Sequence, residues 1–238
     1  MIRLENLTLG YEGRTLLEGV SAHFACGALT ALIGRNGSGK STLLRALAGL
    51  GDHAQGEIRL AGDRLTAIAP EELARRVAFV TTERVRIANL RCRDVVALGR
   101  APYTNWIGRM QEQDRAAVEA ALTAVGMADY ADRTLDRMSD GECQRIMIAR
   151  ALAQATPIVL LDEPTSFLDL PNRYELVRLL RRLAHDEGKC ILFSTHELEI
   201  ATALCDSIAL VDNPHLHHLP TEEMQQSGLI ERLFQIHA

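Results

Sequence analysis

No stretch of this chain leaves the backbone less choice than Gly34-Arg35-Asn36-Gly37-Ser38-Gly39-Lys40-Ser41-Thr42. The apolar run Leu29-Thr30-Ala31-Leu32-Ile33 leads into it, and Leu43, Leu44, Leu47 and Ala48 follow at helical spacing. A strand that turns through glycines into a helix presents inward-facing backbone N–H groups and the positive end of a helix dipole, which together suit a phosphate. The pattern G-x-x-x-x-G-K-[ST] in that context predicts a nucleotide cradle spanning Gly34 to Thr42. Within it Lys40 is expected to reach the β- and γ-phosphates, Ser41 to offer its hydroxyl to Mg²⁺, and Thr42 to lie beside it on the first helical turn.

The flanking pattern is that of an α/β protein. Ile2 to Leu9 alternates apolar and polar positions, with Ile2, Leu4, Leu7 and Leu9 inward after a small irregularity, and Val20 to Ala25 predicts a second strand, so the N-terminal part reads as antiparallel. Between them Tyr11-Glu12-Gly13-Arg14 reads as a turn, and the Tyr11 ring is a candidate for stacking on a nucleobase. Short strands are expected at Gly56 to Gly62 and Val77 to Val80, with a helix started by Pro70-Glu71-Glu72 between them. The segment 84–155 is mainly helical, with helices at Asp94 to Leu98, Glu112 to Val125 and Ser139 to Ala155. Parallel-type strands resume at Ile158 to Leu161, Cys190 to Phe193 and Ile208 to Val211, alternating with helices at Arg173 to His185 and Glu197 to Leu204. Thr221 is expected to cap a final short helix, with Ile230 and Phe234 docking the tail.

Charge and cysteine usage narrow the partners. A formal charge of −5 gives no general attraction for nucleic acid or anionic lipid, which leaves only a local basic patch open, and no nucleic-acid partner is expected. The sequence has no apolar run of membrane-spanning length, and Met1-Ile2-Arg3-Leu4-Glu5 lacks the layout of a signal peptide, which predicts a cytoplasmic chain. Five scattered cysteines without a C-x-x-C pair read as reduced thiols. His215, His217, His218 and His237 near the C-terminus lack acidic or thiol partners at ligand spacing, so they read as a surface hairpin rather than a metal site.

Two carboxylates, Asp162 and Glu163, follow the apolar run 158–161, where a strand would emerge from the sheet. Coupled to a phosphate loop, such a pair suits phosphoryl chemistry. Asp162 can hold Mg²⁺ directly or through water, and Glu163 can orient and polarise the attacking water. His196, also after a strand, is a candidate contact to the γ-phosphate. Ser139 can cap the helix after it, placing a hydroxyl and N–H groups at a positive dipole end, with Gly141 allowing close approach of an anion.

With these pieces in this order, nearly the whole chain resembles the nucleotide-binding subunit of ABC transporters. Met138-Ser139-Asp140-Gly141-Glu142 stands at the family's L-S-G-G-Q signature, Ser166-Phe167-Leu168-Asp169 at its D-loop, His196 at its switch histidine and Tyr11 at its adenine-stacking aromatic. The resemblance implies one P-loop NTPase domain over 1–238, with an N-terminal antiparallel β subdomain, an α/β core at 1–83 and 156–238, and a helical insertion at 84–155. It also implies ATP and Mg²⁺ as cofactors and a head-to-tail homodimer in which Ser139 and Gly141 face the partner's γ-phosphate.

The sequence departs from the family pattern at three positions. Thr82 stands at the Q-loop glutamine, with its hydroxyl or Glu83 as the replacement contact to Mg²⁺ and water. Asp140 and Glu142 replace a signature glycine and glutamine and add negative charge. Lys40, the acid pair and His196 are kept, and hydrolysis is expected. The stretch Ala97 to Arg100 with Pro102, Tyr103 and Trp106 looks most like the ATPases that drive import of iron–siderophore complexes, haem or cobalamin. That implies membrane permease subunits, an extracytoplasmic substrate-binding protein, and a place at the cytoplasmic face of the membrane. Arg100 to Gly108 is the expected gripping surface. The rival reading is an ABC ATPase without a transporter, acting in DNA repair, translation or iron–sulfur assembly.

Overall fold

In the computed structural model the described residues are 1–11, 13–51, 55–83, 88–104 and 109–235, with only the backbone of Tyr11 described. Trp106 and His237 therefore lie outside the described residues, as does the Tyr11 side chain.

Two sheets organise the chain. The strands β1 (Ile2–Tyr11), β2 (Arg14–Phe24), β4 (Gln55–Leu60) and β5 (Asp63–Arg64) form an antiparallel sheet in the order β2-β1-β4-β5. In β1 the register shifts on either side of Leu7, and Asn6 takes φ 49°. That irregularity moves the buried parity from even to odd positions, so Ile2, Leu4, Leu7 and Leu9 all point inward. β2 begins at Arg14, well before the expected Val20, because Gly13 at φ 77° closes a hairpin that pairs Arg14 with Tyr11 and Leu17 with Leu9.

The second sheet has the order β10-β9-β3-β8-β7-β6, from β3 (Ala28–Gly34), β6 (Val77–Val80), β7 (Ile158–Leu161), β8 (Cys190–Ser194), β9 (Ser207–Asp212) and β10 (His215–Pro220). All its pairings are parallel except β9 with β10. Both faces of the inner strands are buried, while β10 at the edge is part-exposed, and the period-2 alternation divides the side chains between two cores. Leu32, Leu160, Leu192 and Ala209 face the antiparallel sheet and helix α1 (Lys40–Leu47). Their neighbours Ile33, Leu161, Phe193 and Leu210 face the other way.

That second face is covered by α6 (Leu170–Glu187) and α7 (Leu198–Leu204), and its core runs on without a break into the helical segment. There α3 (Cys92–Ala97), α4 (Glu112–Ala124) and α5 (Asp140–Ala153) bury Val95, Val118, Leu122 and Ile146 together. The helix α2 (Pro70–Arg76) precedes β6 as expected. The tail holds two short helices, α8 (Thr221–Gln226) and α9 (Leu229–Phe234), rather than one. Thr221 is no cap, since its hydroxyl donates to the Cys205 carbonyl at 2.7 Å and Pro220 takes the capping position. Among the described residues no helix is long and apolar enough to cross a membrane. Four cysteines are buried and Cys26 is exposed; burial pushes the Cys190 and Cys205 thiols up to about 12, far from reactive thiolates.

Arg100 corrects one expectation. It is 7% exposed, donates from Nε to Asp114 Oδ1 at 2.9 Å and from Nη1 to the Ala153 carbonyl at 2.8 Å, and lies 4.0 Å over the Tyr103 ring. The Gln111 N–H, with Arg100, holds the Asp114 carboxyl below the usual range. The residue clamps the start of α4 to the end of α5 and is no part of a gripping surface.

Candidate active site

The phosphate loop leaves β3 at Gly34 and enters α1 at Lys40. Gly37 and Gly39 take φ 72° and 98°, the left-handed turns that let the loop close on itself. A Cβ at Gly34 would sit 2.7 Å from Ser38 Oγ and 2.9 Å from the Val211 carbonyl, so the strand end admits only glycine. Asn213 supports the loop from β9's far end, donating from Nδ2 to the Ser38 carbonyl at 2.9 Å. Beside the loop lies a cavity of about 760 Å³, lined by Arg14, Leu16, the residues 36–42, Glu163 and His196. Its size is that of a small-molecule site.

Lys40 is buried, and its ammonium donates to the loop's own carbonyls, to Gly34 at 3.0 Å and Arg35 at 3.3 Å. Burial lowers its pKa, while Glu163 and Asp162 oppose that shift. Ser41 and Thr42 line the cavity. Arg35 does not turn its side chain toward the cavity: its guanidinium forks onto the Leu233 carbonyl, from Nε at 2.9 Å and Nη2 at 2.5 Å.

The acid pair is held from several sides. Asp162 is 5% exposed and lies behind the cavity lining, its Oδ1 accepting from Ser194 Oγ at 2.6 Å. Glu163 adopts φ 48°, and its N–H donates to the same Ser194 oxygen at 2.8 Å. Its carboxylate meets His196 Nε2 through Oε1 and accepts from Ser166 Oγ at 3.1 Å through Oε2. The structure thus places the phosphate loop, Glu163 and His196 around one cavity.

Thr82 sits at the end of β6, but its hydroxyl donates to the Asp162 carbonyl at 3.1 Å, and Glu83 pairs outward with Arg45 at 3.1 Å. Ser139 caps α5 in a closed box: its N–H and hydroxyl both donate to Glu142 Oε2 at 2.8 Å, and Glu142 N–H returns to Ser139 Oγ at 3.3 Å. Gly141 has a reason other than anion approach, since a Cβ there would lie 3.1 Å from the Phe167 carbonyl and 3.2 Å from Leu168 Cδ2. Ser139 and Gly141 line none of the phosphate-loop cavity of their own chain.

Arg14, Asn213 and Ser194 were missed by sequence reasoning. Only Arg14 carried any signal, as a cation close to the stacking candidate Tyr11 in the turn.

The residues present fit a nucleotide with a hard divalent cation. Ser38 Oγ is buried without a hydrogen-bond partner among the described residues, the glycine turns leave room for phosphate oxygens, and the Lys40 ammonium feels the charge of Glu163 and Asp162. Residues 17–166 match the ABC transporter family. The chain belongs to that family.

Among its relatives, an uncharacterized ABC transporter ATP-binding protein of Methanocaldococcus jannaschii is 41% identical, covering 90% of this chain and 73% of that protein. The achromobactin transport ATP-binding protein of Dickeya dadantii is 38% identical over 89% of this chain and 79% of its own. The petrobactin import ATP-binding protein of Bacillus subtilis is 34% identical over 98% and 92%. Solved structures agree. An inward-facing transporter described as of metal-chelate type superposes with a TM-score of 0.86 at 28% identity, covering 98% of this chain and 88% of that one. A dimeric ATP-binding cassette holding ADP and inorganic phosphate gives 0.81 at 25%, covering 93% and 99%. This ABC protein is accordingly an ATPase of the kind that couples hydrolysis to transport.

Proposed function

We propose that this ABC ATPase binds ATP with Mg²⁺ at the Gly34–Thr42 loop and hydrolyses it to power import of an iron–siderophore, haem or cobalamin-type cargo. The observation that carries the catalytic reading is the Glu163 carboxylate, aimed into the phosphate-loop cavity and held by His196 and Ser166. The names of the Dickeya and Bacillus relatives support the cargo class.

ATP's phosphates lie along the loop N–H groups, with Lys40 released from its carbonyl partners to meet them. Ser41 and, through water, Asp162 would hold Mg²⁺, which neutralises charge on the phosphate oxygens. Glu163 accepts a proton from water as the water oxygen bonds to the γ-phosphorus, and the bond from that phosphorus to the leaving ADP oxygen breaks. His196 holds the Glu163 carboxylate and, lining the same cavity, is proposed to contact the γ-phosphate. Tyr11 is proposed to stack on adenine, and Thr82 to reach the cation site once its hydroxyl leaves the Asp162 carbonyl.

Two copies would pair head to tail, each offering Ser139 and Gly141 to the other's nucleotide. The chain would work at the cytoplasmic face, attached to permease subunits served by an extracytoplasmic substrate-binding protein. For the permease contact the structure offers a groove of about 580 Å³ lined by Leu65, Ile68, Leu73, Phe79 and Gln154, with Leu50 64% exposed at its rim. Gln154 bonds from α5's end to the Ala74 and Val77 carbonyls, at 2.6 and 3.0 Å. A permease segment seated there touches both the helical segment and the sheet core. Purification of the tagged chain from native membranes, with its partners identified, tests the reading. Polytopic permease subunits support it, whereas ribosomal, DNA-repair or iron–sulfur assembly factors point to a non-transport ABC ATPase.

A further inference from the structure

We propose that the Ser194 hydroxyl is the positioning group that fixes Asp162 and Glu163 in one arrangement, and that ATP turnover depends on it. The inference rests on reading those two residues as the hydrolytic pair. Ser194 is the last residue of β8 and is 0% exposed. The parallel register pairs Leu161, the last residue of β7, with Phe193, so the residues that follow, Asp162 just past β7 and Ser194 closing β8, lie side by side at the sheet's end. A serine hydroxyl has one proton and lone pairs to accept with, and here both capacities are used. The proton goes to Asp162 Oδ1 at 2.6 Å, and the oxygen accepts the Glu163 N–H at 2.8 Å.

One atom therefore ties the side chain of the first acid to the backbone of the second. The second tie matters because Glu163 stands at φ 48°, a conformation that a residue bearing a Cβ rarely holds unless its surroundings impose it. That backbone turn is what directs the carboxylate toward His196, Ser166 and the cavity. Without the hydroxyl, the Glu163 N–H and Asp162 Oδ1 both lose their partner in a buried site, and the Glu163 peptide is free to relax to negative φ. The carboxylate then swings out of line with the phosphate loop. Lys40 and the loop glycines are untouched, so ATP binding survives.

Four variants of the full chain test this: Ser194→Ala, Ser194→Val, Ser194→Thr and Glu163→Gln, each assayed for ATP turnover, KM and thermal unfolding. Valine and threonine share a shape, so their comparison isolates the hydroxyl from packing and holds even where alanine folds poorly. The expected result is kcat about 10- to 100-fold lower for alanine and valine with KM for ATP nearly unchanged, and turnover largely recovered in threonine. Equal turnover in valine and threonine, or wild-type turnover in alanine beside an inactive Glu163→Gln, overturns the role of Ser194. Wild-type turnover in Glu163→Gln instead overturns the hydrolytic reading of the acid pair itself.

Discussion

At the end of β7, Glu163 has its amide, both carboxylate oxygens and a left-handed backbone committed to neighbours, a degree of constraint few surface acids carry. Glu163→Gln keeps the shape and removes the proton acceptor, so kcat should fall about 100- to 10,000-fold with ATP affinity retained. Size-exclusion chromatography should then show an accumulating ATP-bound dimer. Lys40→Ala acts on binding instead: losing a charged donor to phosphate should weaken ATP at least about 10-fold in a fluorescence titration. Both residues were legible in the sequence because each sits at a fixed offset from an apolar run. Ser194 was not legible. A serine closing a strand has no pattern of its own, and its partners lie 31 and 32 positions away. Thr82 was legible as a position but not as a contact, since the sequence could not show its hydroxyl turned onto the Asp162 carbonyl.

Among the elements, strand and helix identities followed from period and punctuation, while several ends did not. The start of β2 was hidden because Thr15 to Gly19 lacks the clean alternation of a half-buried strand, and only pairing with β1 reveals it. Similarly, Gly141 announced itself as special, but the sequence could not show that α5 also passes close over the Phe167 carbonyl there. The α9 element shows what such contacts do. Arg35→Ala removes a forked, charged hydrogen bond to Leu233, worth about 1.5–3 kcal/mol. The variant should free α9 to exchange its amides faster and weaken ATP binding, and deleting residues 229–235 in the same background should add little to the loss of affinity.

A second element-scale effect concerns β10, where the His218 ring packs 4.7 Å from Phe24 and Nε2 meets Ser207 Oγ at 3.0 Å. Burial, then nearby His23, lowers the His218 pKa; burial, the Met1 amine and Arg3 lower that of His23. A histidine held neutral in the fold takes up its proton on unfolding. Its contribution is therefore present above its ordinary pKa near 6.5 and is lost as pH falls toward the depressed folded value. The thermal midpoint should drop on acidification below about pH 6.5, and His218→Gln should flatten that slope.

On the scale of the whole molecule, the inner strands of the central sheet are covered on both faces, and only the edge strand β10 reaches solvent along its length. That is why its strands read as near-continuous apolar runs and why α/β architecture was legible from the sequence. The strand order was less accessible, and it has a consequence for how the protein is made. β3, which carries the phosphate loop, finds its hydrogen-bonded neighbours only in β8 and β9, at residues 190–194 and 207–212. During synthesis the antiparallel sheet can pair once residue 64 has left the ribosome, but the strand that aims Gly34 has no partner until more than a hundred further residues have followed. The nucleotide site is thus among the last features a nascent chain can complete. ATP meets it as a finished site, selecting chains that have already closed their central sheet and slowing their unfolding rather than guiding their folding.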